Sequence, residues 1–365
     1  MLALSTLGAG TYDEDRILAL LRDFPFERFR FDRAHKVRSF WKLLATIRRE
    51  RPPLAVMEGT GLAGGLALLL GRLLWQVPYV VSSGDAVGPW VGTKSRVLAP
   101  FFALYERLLC RFAVGFIGWT PYLAGRALTF GAPRAMTAAG WAPFPQDLTQ
   151  RTAARTRIRQ SLRLSPDSLV VGIVGSLAWS RRYGYCYGYE LVRAMESVSR
   201  SDVTALIVGD GDGRARLESL AAPFGRRVIF TGRVAHDEVP DFLAAMDVAS
   251  LPQSVDGVGS FRYTTKLSEY LAAGLPVVTG QIPLAYDLDD GWVWRLPGPN
   301  PWHPRYHHAL AELIEGLSPA DLAARRAAVP EHPAEFDRDR QIARVTAFVT
   351  DILADRGVAI RVDAN

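Results

Sequence analysis

257-GVGSFRYTTKLSEYLAAGLPVVTG-280 reads as a glycine-rich loop, then a helix, then a buried strand. Thr264 or Thr265 stands where an N-cap is expected, and a helix start leaves backbone N–H groups without intrahelical partners. Lys266 and Glu269 follow at i, i+3, so they share one helix face. Gly274 supplies the stop, and 276-PVVT-279 is a β-branched run suited to a parallel strand. A positive helix end beside a lysine can meet phosphate, and a glutamate one turn on can accept from ribose hydroxyls. The stretch therefore suits a nucleoside diphosphate, with an ordinary αβ unit as the alternative.

The sequence on either side repeats the pattern. Strand-like runs stand at 169-LVVGIVGS-176, 203-VTALIVG-209, 227-RVIFTG-232, 247-DVASLP-252 and 292-WVWRL-296, with helical spacing at about 188–198, 213–222, 237–246 and 264–273. Alternating βα units imply a parallel sheet with helices on both faces. The first half alternates too, with strands expected at 2–6, 28–31, 54–58, 78–83 and 114–118 and helices between them. The proline- and aromatic-rich 140-GWAPFPQDLTQ-150 reads as a linker, and 151-RTAARTRIRQSL-162 as the entry to a second domain. We expect a first domain over 1–150 and a second over 151–335, with a long amphipathic helix at 336–356 that caps the second or packs back on the first. Each would be a Rossmann-like, doubly wound α/β domain. The two would face a cleft, with ligands at the carboxyl ends of the strands.

At 365 residues, two cores are the default. The two cysteines, Cys110 and Cys186, lie far apart and form no CxxC, which argues against a disulfide framework or zinc knuckle and for a reducing compartment. No basic n-region precedes the short apolar run at the start, so no secretory signal is expected. Residues 1–150 hold 18 Lys+Arg against 11 Asp+Glu, whereas 151–365 hold 25 against 26. A basic half can face nucleic acid, an anionic membrane or an anionic substrate. No helix-turn-helix, finger or RNA-recognition signature appears, so no nucleic-acid partner is expected. The apolar stretch 61-GLAGGLALLLGRLLW-75 is short for a span and broken by Arg72. The longer 97-VLAPFFALYERLLCRFAVGFIGW-119 carries Glu106, Arg107 and Arg111. Both read as core helices, with a helix lying on an anionic membrane as the alternative.

Four blocks in order resemble glycosyltransferase family 4, the retaining nucleotide-sugar enzymes of the GT-B fold. They are 171-VGIVGSL-177, 206-LIVGDGDGRARLESLA-221, 228-VIFTGRVAHDEVPDFLAAMDVASLPQ-253 and 265-TKLSEYLAAGLPVVT-279. The resemblance implies a donor site in the second domain. Of the family's glutamate-x7-glutamate pair, the second falls on Glu269 as the ribose-binding residue and the first on Phe261. Asp256, or the backbone N–H groups of 257-GVGS-260, would handle the sugar in its place. Lys266 and Arg181 or Arg182 would neutralise the diphosphate, Ser176 occupying the family's arginine position. Arg233 and Val234 would meet the nucleobase, and Gly259, Tyr263, Thr264 and Thr265 would line the donor. In the first domain, Gly8 and Gly10 match the glycine loop. Asp85 follows Gly84, where the family often has a histidine, and would bond the sugar or acceptor.

The resemblance further implies transfer to a hydroxyl of a glycan, a lipid-linked glycan or a small molecule, in the cytoplasm or peripherally at the inner membrane face. No cofactor is expected, and no metal, since the Asp-x-Asp pairs include 209-GDGDG-213, a family turn. Front-face attack would let the diphosphate take the acceptor proton. The alternatives on this architecture are a UDP-sugar epimerase, a phosphorylase and a non-catalytic binding protein.

Overall fold

The computed structural model describes residues 1–358. The chain forms two compact units, one of residues 1–140, 261–263 and 334 onward, the other of residues 141–260 and 264–333.

Unit 1 holds a six-stranded sheet of β1 (Leu2–Ser5), β2 (Glu27–Phe29), β3 (Ala55–Glu58), β4 (Tyr79–Ser83), β5 (Gly115–Gly118) and β6 (Ala135–Thr137). The strand order is β2-β1-β3-β4-β5-β6, and every pairing is parallel. Its helices are α1 (Tyr12–Leu20), α2 (Lys36–Glu50), α3 (Leu62–Trp75), α4 (Val87–Gly92), α5 (Ala99–Phe112) and α6 (Pro121–Thr129). The crossovers from β2 through β6 all progress one way across the sheet. Right-handed connections therefore put α2, α3, α5 and α6 on one face and α1 on the other. The core is apolar on both sides of β3 and β4, with Val56, Met57, Val80 and Val81 fully buried, as strands covered on both faces must be.

Unit 2 contains α7 (Leu148–Ser161), β7 (Leu169–Val174), α8 (Tyr189–Ala194), β8 (Val203–Val208), α9 (Arg214–Ala221), β9 (Val228–Gly232), α10 (Val239–Ala244) and β10 (Val248–Leu251). It continues with α11 (Thr265–Ala272), β11 (Val277–Gly280), α12 (Leu284–Asp287), β12 (Val293–Leu296), α13 (Pro304–Gly316) and α14 (Pro319–Ala327). The order is β12-β11-β10-β7-β8-β9, again parallel. Winding reverses between β7 and β10.

The last helix, α15 (Arg338–Ala354), belongs to unit 1. Asp337 caps it by accepting from the Arg340 N–H, and it is tied to the turn after α1 by Thr346 Oγ1 donating to Asp23 at 2.8 Å. The sequence reading left β6, α4 and the whole of 297–335 unassigned. The signals for α13 and α14 are present: Tyr306, Leu310 and Ile314 recur at helical spacing and are buried, and Ser318 with Asp321 forms a capping box.

Candidate donor site in the second unit

Open α/β sheets bind ligands beyond the carboxyl ends of their strands where winding reverses. In unit 2 that point lies past β7 and β10. The segment after β10 leads into α11, and Thr264 holds the N-cap position with extended backbone. Its hydroxyl makes no capping bond, contrary to the sequence expectation; Oγ1 is buried and has no hydrogen-bond partner. The start of α11 thus combines partner-seeking N–H groups with an unmatched hydroxyl.

Lys266 follows on the first turn. A methyl group added at Gly175, just past β7, would lie 2.7 Å from Lys266 Cε and 3.0 Å from Tyr187 Cδ2. Glycine there is what lets the lysine cross the strand end. Lys266 Nζ stands 4.6 Å from the centroid of the Tyr187 ring, a cation–π arrangement. It forms no ion pair among the described residues. Glu269 lies one turn later. Burial raises its carboxyl to about 7, against the opposing pull of Lys266.

Glu269 lines a small, largely apolar cavity with Pro143, Phe144, Gln146, Arg151 and His236. Among the described residues, Gln146 Oε1 and Arg151 Nε are buried without partners and the Glu269 carboxylate accepts no hydrogen bond. Phe144 meets His236 edge-on at 5.4 Å. The cavity therefore combines unmatched polar atoms with an aromatic wall. In sequence the Phe144 segment reads only as a linker.

Other nominated residues fall outside this cluster. Ser176, Arg181, Arg182 and Arg233 are exposed, and Val234 is half-buried. Arg181 and Arg182 ride a tight turn in which Gly184 N–H donates to the Ser180 carbonyl at 2.8 Å. Thr265 is half-buried on the first turn of α11.

Asp256 and Tyr263 are both engaged in local contacts. Asp256 Oδ1 accepts from the N–H groups of Val258 and Gly259, at 2.8 and 2.9 Å, and the Asp256 carbonyl accepts from Ser260 N–H. The aspartate and the 258–260 amides thus satisfy one another in a turn. A side chain at Gly259 would collide with the Ser254 carbonyl. Tyr263 belongs to unit 1, buried against Tyr122 and Phe336. Phe261 shares that unit: its carbonyl accepts from Thr120 Oγ1 at 2.7 Å, and the Arg126 guanidinium lies 5.4 Å from its ring centroid. An acidic side chain there would lose this packing.

In unit 1, Gly8 and Gly10 take the left-handed backbone that glycine tolerates, φ +102° and +73°. The N–H of Gly10 donates to Glu14 Oε2 at 2.6 Å and that of Gly8 to the Ser5 carbonyl at 3.3 Å, so the loop's amides are used internally. Asp85 Oδ1 accepts both Nε and an Nη of Arg262, at 2.9 and 2.5 Å, leaving the side chain 42 % exposed. Nearby, Arg16 pairs with Glu58 at 2.6 Å in a fully buried bridge, and Trp119 Nε1 donates to the other Glu58 oxygen. Burial, with Glu58 and Asp85 adding negative charge, raises Asp13 to about 7. Among the described residues, no three His, Cys, Asp or Glu side chains group as a metal-ligand set.

Residues 168–301 match the family described as Glycosyl transferases group 1, and residues 6–139 match the Glycosyl transferase 4-like domain. A 2-deoxystreptamine glucosyltransferase of Streptomyces kanamyceticus is 30% identical over 222 residues, 58% of this chain. The match spans 55% of that relative's own length. Among solved structures, HepE of Anabaena in complex with UDP and glucose superposes with a TM-score of 0.71 at 17% identity, covering 96% of this chain and 98% of that one. A sucrose-phosphate synthase from Thermosynechococcus elongatus gives 0.68 at 17% identity, covering 97% and 99%. These likenesses establish the fold, and the two family matches cover both sheets. The chain belongs to the glycosyltransferase family 4-like proteins of the GT-B fold.

Proposed function

We propose that the protein transfers a sugar from a nucleoside-diphosphate sugar to an acceptor hydroxyl, with retention of configuration and without a required metal. The observation that carries this reading is the start of α11, where Lys266 is in no ion pair among the described residues and the Thr264 hydroxyl is buried and unmatched. In the transfer, the bond from the anomeric carbon to the diphosphate breaks and a bond to the acceptor oxygen forms on the same face. The departing phosphate oxygen takes the acceptor proton, so no strong enzymatic base is needed. Charge growing on the diphosphate is met by the ammonium and the helix end. Glu269, once ionised, accepts from the ribose hydroxyls.

Family membership supports the donor class. The named activity of the Streptomyces relative makes a small aminocyclitol the first acceptor to test, beside glycans and lipid-linked glycans. A non-catalytic, nucleotide-sugar-binding role is the second reading, favoured by Phe261 standing where the family carries an acidic residue. Release of nucleoside diphosphate from a panel of nucleotide sugars separates the two. The proposal expects acceptor-stimulated release from at least one donor, unchanged by EDTA and abolished in Lys266→Ala. Binding of donor without release under any acceptor supports the second reading. Loss of activity in EDTA restored by a divalent cation sinks the metal-free mechanism.

A further inference from the structure

α2, α3 and α5 lie on one face of the unit 1 sheet, and their outer surfaces carry exposed apolar side chains. On α2, Val37 and Trp41 are exposed one turn apart, Trp41 by 62%. On α3, Leu66, Leu73 and Leu74 are exposed, Leu74 by 62%. Leading into and along α5, Val97, Phe101, Leu104 and Leu108 recur at i, i+4, i+7 and i+11, with Phe101 57% exposed. Such spacing normally marks the buried stripe of a helix. Here the adjoining stripe, Tyr105 and Leu109, enters the core, so the apolar surface of α5 extends beyond its buried face.

The charges on these helices are one-sided. Lys36, Lys42, Arg48, Arg107 and Arg111 are exposed. The carboxylates on the helices themselves are withdrawn: Glu106 is buried, and Glu50 is half-buried beside Arg49. Arg72, just before Leu73, and Arg111, one turn past Leu108, line a single open pocket with Arg134 and Arg356. Asp355 offsets only Arg134, at 2.5 Å. Burial and the repulsion of Arg72 and Arg134 lower the Arg356 guanidinium from its usual value, the mark of a site short of negative charge.

We propose that the α2–α3–α5 face docks on a bilayer containing anionic lipid, its leucine and aromatic side chains entering the interface and the four-arginine pocket taking lipid phosphate. Basic residues bordering an apolar stripe suit that surface. A nucleic acid offers nothing to nine exposed apolar side chains on and beside three helices, and a second copy of the same face would bring arginines against arginines. Among the described residues no helix is long and apolar enough to cross a membrane, and the contact proposed is peripheral. The inference stands apart from the donor reading, since none of these residues belongs to that site.

The test is flotation of the full-length protein with phosphatidylcholine vesicles and with vesicles containing one-third phosphatidylglycerol. The wild type is expected to float with the anionic vesicles and to be released in part by salt. Phe101→Glu/Leu104→Glu should lower partitioning at least tenfold at every salt concentration. Arg72→Ala/Arg111→Ala should lower it chiefly at low salt, erasing the preference for anionic lipid. All positions are exposed or half-exposed, so circular dichroism and release of nucleoside diphosphate from a soluble acceptor reaction should match the wild type. A wild type that stays below the gradient with both vesicles overturns the proposal. So does a dimer in sedimentation velocity that the Glu variants dissociate while vesicle binding stays absent.

Discussion

At the scale of single residues, Lys266 and Glu269 carry the donor reading, and their surroundings set what each can do. The Glu269 carboxyl titrates near 7 because it is buried. An ionised carboxylate is the better acceptor for ribose hydroxyls, so affinity for a nucleoside diphosphate should rise between pH 6 and pH 8. Glu269→Gln should weaken binding about tenfold at pH 8, the scale of one or two charge-assisted hydrogen bonds, and should flatten that rise relative to the wild type. Titration calorimetry at the two pH values measures both effects; parallel pH dependence in wild type and variant would remove Glu269 from the site. Gly175→Ala addresses the same site through packing. The added methyl forces Lys266 off the end of β7, so donor KM should rise about tenfold with little change in Tm. An unchanged KM would mean that the lysine acts from elsewhere.

The residue scale also shows where sequence reading stopped. Glu269 and Lys266 were legible because helix period puts them on one face and the strand pattern puts that helix at a sheet end. The unmatched atoms of Gln146, Arg151 and Thr264 were not, because hydrogen-bond satisfaction depends on neighbours distant in sequence. Tyr263 looked like part of the donor loop by adjacency, yet it and Phe261 pack into unit 1. Sequence neighbours on a loop need not share a core.

At the scale of elements, two buried acids hold unit 2 together. Asp247 precedes β10 and accepts from Arg155 and Arg159 of α7, at 2.6 Å each, and from the Val170 N–H at 2.8 Å. The arginines are i, i+4 on α7, so one carboxylate fixes both the roll and the position of that helix. Asp247→Ala leaves Arg159 buried with no counter-charge and should cost about 3–5 kcal/mol of stability, read from urea unfolding. A loss below about 1 kcal/mol would mean that water replaces the aspartate. Glu190, at the start of α8, is held by Ser250 Oγ, the Gly188 N–H and Tyr185 Oη. Burial nonetheless raises it to about 7. A raised acid stabilises the fold fully below its unfolded value and loses that contribution as pH rises through its folded value. Stability should therefore fall from pH 4.5 to pH 7, by an amount of order 3 kcal/mol from this group. Glu190→Gln should remove that share of the slope; a slope identical to the wild type would show that Glu190 is ionised throughout. The strands and most helices around these acids were legible from period and β-branching. β6, with its half-buried Ala135–Thr137, is too short to carry a period.

At the scale of the whole molecule, the basic excess of the first half acquires a place. In sequence it suits nucleic acid, an anionic membrane or an anionic substrate alike. In the structure it lies largely on the outer helices α2, α3 and α5 and in the arginine pocket, while the carboxyl edge of the unit 1 sheet carries Asp13, Asp85 and the buried Glu58. The partition of the chain is likewise finer than two consecutive domains: Phe261–Tyr263 and α15 both belong to unit 1, because their apolar side chains pack there. The central claim is that the start of α11 in unit 2 is built for a nucleoside diphosphate. Titration of the wild type, Lys266→Ala and Glu269→Ala with uridine, guanosine and adenosine diphosphates, without added metal, tests it most directly. The account predicts that the wild type binds at least one of them, that each variant loses about tenfold or more, and that all three proteins share one Tm in the absence of ligand to within a few degrees. Equal binding by wild type and both variants would contradict it.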